Sequence, residues 1–138
     1  MALDVGTQTI GVAVSDPLWI SIRPLTTVAR KGVKTDCAAL AQLVKKEEIR
    51  HLVVGLPLEL DGSEARSARL ARQVGEALAA LTGLRPHYVD ERYSSVDAER
   101  VLLEHDLSRA RRKEVIDQAA AMLILRGWLD HGASVEEP

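Results

Sequence analysis

The segment that most restricts the fold lies in the middle of the chain, at His51-Leu52-Val53-Val54-Gly55-Leu56. A strand with one face in water alternates apolar and polar residues, whereas a strand covered on both faces is apolar almost throughout. This segment is of the second kind, and Pro57 ends it. It therefore predicts a central, parallel strand of a sheet that carries helices on both faces.

The first 28 residues predict three further strands. Three short segments rich in β-branched residues, at 1–5, 10–15 and 20–28, are separated by turn residues. Strands joined by such short turns pair antiparallel. Pro24 has no N–H to donate to a neighbour, so we expect the third strand to lie at an edge of the sheet or to start beside the proline.

The rest of the chain alternates helices and strands. Capping residues and apolar residues at helical spacing predict four helices. They are a helix capped by Thr35, one from Asp61-Gly62-Ser63 to Thr82-Gly83, one opened by Ser94-Ser95-Val96-Asp97, and one from about Glu114 to Asp130 after a basic linker, residues 109–113. A strand is predicted at 85–90. This order predicts an α/β fold with a five-stranded mixed sheet, in which three antiparallel strands precede the βαβ units.

Length and composition limit the classes of protein to consider. The chain has 138 residues, of which 46% are hydrophobic, and its net charge is −2. We expect one domain over residues 1–138, with a frayed tail at 132–138, rather than a disordered or disulfide-stapled chain. The single cysteine, Cys37, and the lack of a signal-peptide pattern or a long apolar segment predict a cytoplasmic protein without a membrane partner. The acidic balance leaves room only for local basic patches.

An acidic side chain stands inside the first predicted strand. Alternation places Ala2, Asp4 and Gly6 on one face, where a bare carboxylate is costly. Gly6 and Gly11 have no side chains, so we expect room for a phosphate backbone or a nucleotide to approach Asp4. The alternative is that Asp4 caps a turn or pairs with an arginine.

A second acid, Glu91, follows the strand at 85–90. Open α/β sheets place ligand-binding groups at the carboxyl ends of such strands. Because alternation turns Asp90 and Glu91 to opposite faces, only one of them should share the face of Asp4. The alternative for Glu91 is a solvated ion pair with an arginine.

The third acid, Asp117, begins an apolar face of the last helix that continues through Ala120, Ala121 and Ile124. The small alanine side chains predict that this helix approaches the sheet closely and carries Asp117 toward it. The alternative is that Asp117 only complements the helix dipole.

Three carboxylates brought together would repel one another unless cations offset their charge. Ligands that are all oxygen favour Mg²⁺ or Mn²⁺ over zinc. A pair of such ions about 3.5–4 Å apart can activate water and stabilise the leaving oxygen in phosphodiester hydrolysis. The sequence therefore predicts a metal-dependent nuclease.

Four motifs, in this order along nearly the whole chain, resemble the YqgF family. They are Asp4-Val5-Gly6-Thr7 through Ile10-Gly11-Val12-Ala13-Val14-Ser15-Asp16, then Val54-Gly55-Leu56-Pro57-Leu58 with Asp61-Gly62-Ser63, then Asp90-Glu91-Arg92, then Ile116-Asp117-Gln118-Ala119-Ala120-Ala121. Members of this family are described as pre-16S rRNA nucleases or Holliday junction resolvases with a ribonuclease H-like fold.

The resemblance implies a ribonuclease H-like nuclease in which Asp4, Glu91 and Asp117 form an acidic metal-binding triad. It further implies structured RNA, including a ribosomal precursor particle, or branched DNA as partner. Two departures stand out: Gln8-Thr9 occupies a turn where relatives often carry a basic residue, which affects an expected phosphate contact, and Tyr93-Ser94-Ser95 replaces the more usual Leu-Thr-Thr.

Further residues are candidates for contacts with nucleic acid. Arginines recur every three residues on the second helix, and a basic cluster precedes the Asp117 helix; either can follow phosphates, or simply face solvent. The candidates are Arg66 and Arg69, with Arg72 next in the series, and Arg109, Arg111, Arg112 and Lys113. Residues expected to line the cleft or bind phosphate are Gly6, Thr7, Gly55, Pro57, Asp61, Gly62, Ser63 and Arg92.

Two other functions stay open at this point. An actin-like ATPase or sugar kinase has the same Asp-x-Gly-Thr turn but clamps its nucleotide between two such halves, and this chain has residues for one. A non-catalytic RNA-binding module of ribosome assembly would keep the acids without turnover. ATP binding and metal-dependent cleavage separate these functions from a nuclease.

Overall fold

The computed structural model describes residues 1–57, 66–90 and 109–131, and these form one sheet with helices on both faces. Eight elements follow one another along the described part of the chain. They are β1 (Ala2–Val5), β2 (Thr9–Ser15), β3 (Ile22–Ala29), α1 (Val33–Lys46), β4 (Leu52–Leu56), α2 (Arg66–Thr82), β5 (Pro86–Asp90) and α3 (Arg109–His131). The helix predicted to open at Ser94 and the tail at 132–138 lie outside the described residues.

The sheet has five strands in the order β3-β2-β1-β4-β5. β1, β2 and β3 pair antiparallel, and β4 lies parallel between β1 and β5. The five-stranded mixed sheet and the central parallel strand are thus confirmed. Pro24 lies on β3 at the sheet edge, where a missing N–H costs little.

Different helices cover the two faces of the sheet. Leu3 and Val5 lie in a large core with α1 and α2, whereas Ala2 lies in a smaller core with Ile124 and Trp128 of α3. Alternation along β1 therefore separates a face covered by α1 and α2 from a face covered by α3. Helices on both faces, as predicted, bury β4 completely.

Two predicted boundaries are wrong. α1 begins at Val33 after Gly32 rather than after Thr35, because the carboxylate of Asp36 accepts the backbone N–H groups of Lys31 and Gly32 and fixes the turn ahead of the helix. The predicted basic linker, residues 109–113, is instead the start of α3. Arginine, alanine and lysine are all strong helix formers, so nothing in this segment stops the helix.

α3 approaches the sheet most closely at Gly11 of β2. A Cβ atom on Gly11 would overlap the carbonyl group of Asp117 and lie 3.0 Å from the Cβ of that residue. Gly11 is buried and its backbone forms regular antiparallel pairs, so the glycine is needed for space rather than for an unusual conformation. The close approach predicted from the alanines of the last helix is confirmed.

We predict that Gly11→Ala destabilises the protein because the added methyl group forces α3 away from β2. The expected loss in free energy of unfolding is about 1–3 kcal/mol, typical of overpacking. Gly127→Ala, on the same helix with no atom within 4 Å of the added Cβ, should instead stabilise by about 0.5–1 kcal/mol. Urea denaturation measures both, and equal effects would contradict the close packing at Gly11.

Candidate active site at the carboxyl ends of the parallel strands

Three strand ends meet at one edge of the sheet. β1, β4 and β5 are parallel neighbours, so their carboxyl ends lie on the same side. Gly6 and Thr7 follow β1, Pro57 follows β4, and Glu91 is the next residue after β5. Open α/β sheets collect ligand-binding groups at this edge.

Asp4 lies on the face of the sheet that α3 covers. Its neighbours Leu3 and Val5 both belong to the core on the opposite face, and alternation turns the side chain between them toward α3. Asp4 is half-buried and pairs directly with Gly11 of β2. Paired residues of antiparallel strands have Cα atoms about 4.5–5.5 Å apart.

Asp117 reaches the same place from the other end of the chain. Its backbone lies against Gly11, and its carboxylate accepts a hydrogen bond from the hydroxyl of Thr9. The side-chain amide of the next residue, Gln118, donates to the hydroxyl of Thr27 at 2.9 Å. The structure therefore brings Asp4 and Asp117 together across a single glycine.

The prediction that Gly6 and Gly11 leave room for a phosphate backbone or a nucleotide beside Asp4 is wrong. At Gly11 the space is filled by the backbone of α3, not left for a phosphate or a nucleotide. Gly6 serves a tight turn, because its N–H donates to the carbonyl of Thr9 at 2.8 Å and an added Cβ would lie 3.0 Å from that same oxygen. Both glycines therefore allow backbone packing at the site.

The third acid of the prediction, Glu91, lies outside the described residues. Of the residues before it, Tyr88 belongs to the core with α2, whereas Val89 packs with α3. Alternation places Asp90 on the face of Tyr88, away from Asp4. Within the described ranges no three acidic, histidine or cysteine side chains lie close enough to hold a metal ion.

A buried ion pair supports the β1–β2 hairpin that carries the site. Arg30 contacts Asp36 through Nε at 2.7 Å, and its Nη1 donates to the carbonyl of Gly6 at 2.8 Å. The backbone N–H of Arg30 also donates to the carbonyl of Gln8 at 2.9 Å. This pair connects the start of α1 to the turn between Asp4 and Thr9.

The protonation of Asp36 follows from these contacts. Burial alone would raise the pKa of this carboxyl, but the N–H of Lys31, the Arg30 guanidinium and the N–H of Gly32 outweigh it and hold the pKa below the ordinary value of 3.8. Asp36 therefore stays ionised although its side chain is 1% exposed.

Comparison with known proteins places this architecture in a family. Residues 1–131 match the family model described as "RuvX: Holliday junction resolvase". The chain belongs to the RuvX family. It is 53% identical over 130 residues to a protein of Myxococcus xanthus, covering 94% of this chain and 86% of that protein. It is 52% identical over 130 residues to a protein of Moorella thermoacetica, covering 94% and 93%. Both relatives are named "Putative pre-16S rRNA nuclease".

Membership of the RuvX family confirms the family predicted from the motifs, its ribonuclease H-like fold and its class as a nuclease. The substrate class is therefore nucleic acid, and nucleases of this kind generally depend on divalent metal ions. In the described part of the chain, no helix is both long and apolar enough to cross a membrane.

The remaining candidates of the prediction are spread over several elements. Arg66 and Arg69 are exposed on the first two turns of α2, whereas Arg72 stacks on the ring of Tyr88 with its Cζ 4.7 Å from the ring centroid. Gly55 is buried inside β4. The structure does not describe the side chains of Arg109, Arg111, Arg112 and Lys113, nor any part of Asp61, Gly62, Ser63 and Arg92.

A cavity of about 550 Å³ lies at the opposite edge of the sheet. Its lining includes Trp19, His51 and Trp128 and none of the predicted site residues. Trp19 contacts the ring of Trp128 edge-on, and His51 contacts it at a tilt. This cavity is therefore separate from the acidic site.

Two features of the site are absent from the prediction. The sequence analysis places Thr9 in a turn, whereas in the structure Thr9 begins β2, alternates with Gly11 and shares the face that contacts Asp117. One signal in the sequence points to the Arg30–Asp36 pair. Asp36 lies four residues before the buried Leu40 and therefore shares its face of α1. A carboxylate at such a position requires a partner.

We predict that Asp36→Asn lowers the free energy of unfolding at pH 7 by about 3 kcal/mol, because it leaves Arg30 without its counter-charge in a buried place. Glu47→Gln, which removes the exposed ion pair of Arg23 and Glu47, should cost less than about 1 kcal/mol. Urea denaturation at several pH values measures both.

The effect of Asp36→Asn should depend on pH. A carboxyl with a lowered pKa stabilises the fold above its unfolded pKa, and this contribution is lost as the pH falls through the folded pKa. The gap between wild type and variant should therefore be full at pH 5–7 and close below about pH 3.8. A gap that stays constant down to pH 2.5 would contradict an ionised Asp36.

Proposed function

We propose that this RuvX-family chain is a metal-dependent endonuclease that hydrolyses phosphodiester bonds of structured nucleic acid. Its proposed role is cytoplasmic processing of the 5′ end of pre-16S rRNA during ribosome biogenesis. The observation that carries the proposal is the meeting of Asp4 and Asp117, 113 positions apart in sequence, across Gly11. Two half-buried carboxylates brought to one glycine are costly, and a shared cation or a catalytic role offsets that cost.

The residues at this edge suit a hard cation. Asp4 and Asp117 offer only carboxylate oxygens, and Glu91, the first residue after β5, is the proposed third ligand. Val89 faces α3, so one further step of alternation gives Glu91 the face of Asp4. Oxygen ligands of this kind favour Mg²⁺ or Mn²⁺. When bound, such ions lower the pKa of water and stabilise the charge on the leaving oxygen.

The protein's own groups fix the acids in place. The hydroxyl of Thr9 holds one oxygen of Asp117, and the other oxygen is the one proposed for the cation. The missing side chain of Gly11 lets α3 lie against β2 at Asp117, and Arg30 secures the turn after Asp4 through the carbonyl of Gly6. Packed backbone and hydrogen bonds thus position these groups before the substrate binds, which is what positioning catalysis requires.

The nature of the substrate rests on the relatives. Those at 53% and 52% identity carry a name that refers to pre-16S rRNA, which favours an RNA precursor. The description of the family model refers to Holliday junctions, so resolution of four-way DNA is the second candidate. Cleavage assays with Mn²⁺ on an rRNA precursor and on a four-way junction, beside Asp4→Asn, separate the two.

We predict that Asp4→Asn, Glu91→Gln and Asp117→Asn each lower Mn²⁺-dependent cleavage by about 100-fold or more. Loss of even an outer-shell partner of a metal site costs about 10–100-fold, and these are the proposed ligands. Each variant should keep or raise the metal-free melting temperature, because it relieves repulsion between like charges.

The matched control for these variants is Asp130→Asn. Asp130 is an exposed acid on the same helix as Asp117, paired with Arg126 at 3.6 Å, and its substitution should leave cleavage unchanged. Near-normal cleavage by all three site variants would remove the basis of the proposal. A clear loss of metal-free stability would instead assign the acids to structural ion pairs.

Thr9 is proposed as a positioning residue. We predict that Thr9→Val lowers kcat by about 10–100-fold with little change in KM, since the oxygen of Asp117 loses its partner while the substrate contacts remain. Thr9→Ser keeps the hydroxyl and should retain most of the activity. Equal losses in the two variants would show that the threonine methyl group, not its hydroxyl, is what the site requires.

A further inference from the structure

A groove that contains no predicted acid lies beside the β1–β2 hairpin. It has a volume of about 560 Å³ and runs between the hairpin tip, the start of α1 and the first turns of α2. Its polar lining consists of Thr7, Arg30, Gly32, Arg66, Arg69 and Gln73. Every polar side chain in this set can donate hydrogen bonds, and none of the described lining residues is a carboxylate.

The described residues give the groove a positive charge, and one of its guanidinium groups is held in an ion pair. The charge of Arg30 is balanced by Asp36, and this pair fixes the guanidinium in place. Arg66 and Arg69 are exposed and lie three residues apart on α2, so they line the same side of the helix. Guanidinium groups arranged in this way match the oxygens of phosphodiesters.

The groove and the acidic pair lie on different sides of the sheet. α1 and α2 cover the face of Leu3 and Val5, whereas Asp4 and Asp117 lie on the face of α3. The hairpin tip at Thr7 stands between them, because it follows β1 and also lines the groove. A nucleic-acid backbone that contacts both must therefore turn around the edge of the sheet.

The bend required of the nucleic-acid backbone favours a single strand over a duplex. The groove and the acids lie on opposite faces of the sheet, so a path from one to the other bends sharply around the strand ends. A duplex has a persistence length of about 150 base pairs and resists such a bend, whereas a single strand follows it. Arginine contacts to phosphates also carry no base preference.

We propose that this groove binds the backbone of a single-stranded segment that adjoins the bond to be cut, without regard to its sequence. This proposal rests on the proposed nuclease function, because the strand is taken to continue from the groove to Asp4 and Asp117 as the site of cleavage. It adds to that function a requirement on the substrate: a single-stranded extension next to the structured part.

Binding in EDTA tests the groove without any cleavage. Fluorescence anisotropy compares an RNA stem-loop that has an eight-nucleotide single-stranded extension with the same stem-loop lacking it. The chain should bind the extended RNA about tenfold more tightly. Arg66→Gln/Arg69→Gln should remove this advantage and leave the affinity for the blunt stem-loop unchanged.

The matched control is Arg50→Gln/Arg85→Gln. Both arginines are exposed and precede β4 and β5, at the opposite edge of the sheet, so this variant loses the same charge. It should keep the preference for the extended RNA. The slope of log affinity against log salt should fall by about 1.4 only in the groove variant, since each phosphate contact to a single strand contributes about 0.7.

Three results would overturn the proposal: no preference of the wild type for the extension, equal losses for both RNAs in the groove variant, or equal losses in the groove and control variants. The result is independent of catalysis, because Asp4→Asn should bind like the wild type in EDTA. Extension-dependent binding without metal-dependent cleavage would support strand binding in the groove and contradict the proposed nuclease function. Cleavage without extension-dependent binding would support the nuclease function and contradict strand binding in the groove.

Discussion

The close contact between α3 and β2 at Gly11 is the constraint on which the site depends. Because Gly11 has no side chain, the backbone of Asp117 can lie directly against the strand that pairs with β1. Any larger residue would push the helix outward and separate Asp117 from both Thr9 and Asp4. Because Gly11 lacks a side chain, Asp4 near the start of the chain and Asp117 near its end can both lie against it, at the proposed active site.

The surroundings of this contact hold it from several sides. The hydroxyl of Thr9 on β2 donates to Asp117, and the hydroxyl of Thr27 on β3 accepts from Gln118. These two hydrogen bonds fix α3 against both strands. On the opposite face, the pair of Arg30 and Asp36 anchors the turn that follows Asp4. Each of these polar groups has at least one hydrogen-bond or ion-pair partner, which lets charged side chains persist in a half-buried place.

The sequence predicted the parts of this structure that follow from periodicity. The continuous apolar segment of β4, the edge position of Pro24 and the close approach of the last helix all depend on local patterns, and all are confirmed. The predicted linker at 109–113 is wrong, because arginine, lysine and alanine form a solvent-exposed helix as readily as a linker. Charge alone does not distinguish the two.

The contacts at the site depend on pairing between distant residues, and local patterns do not report it. The sequence predicts open space at Gly11 but does not show that α3 fills it. Thr9 and Asp117 are 108 residues apart, and Arg30 meets Gly6 only after two strands have folded back. The placement of Glu91 beside Asp4 stays a prediction, supported by the alternation of Tyr88 and Val89 on β5.

Asp4 and Asp117 are proposed to share a hard cation with Glu91 at the edge of the sheet. Diffraction from crystals soaked in Mn²⁺, collected at a wavelength where manganese scatters anomalously, locates the ion directly. We predict an anomalous peak coordinated by oxygens of all three carboxylates. A peak elsewhere, or three carboxylates each occupied by a protein cation in Mn²⁺-soaked crystals, would contradict the account.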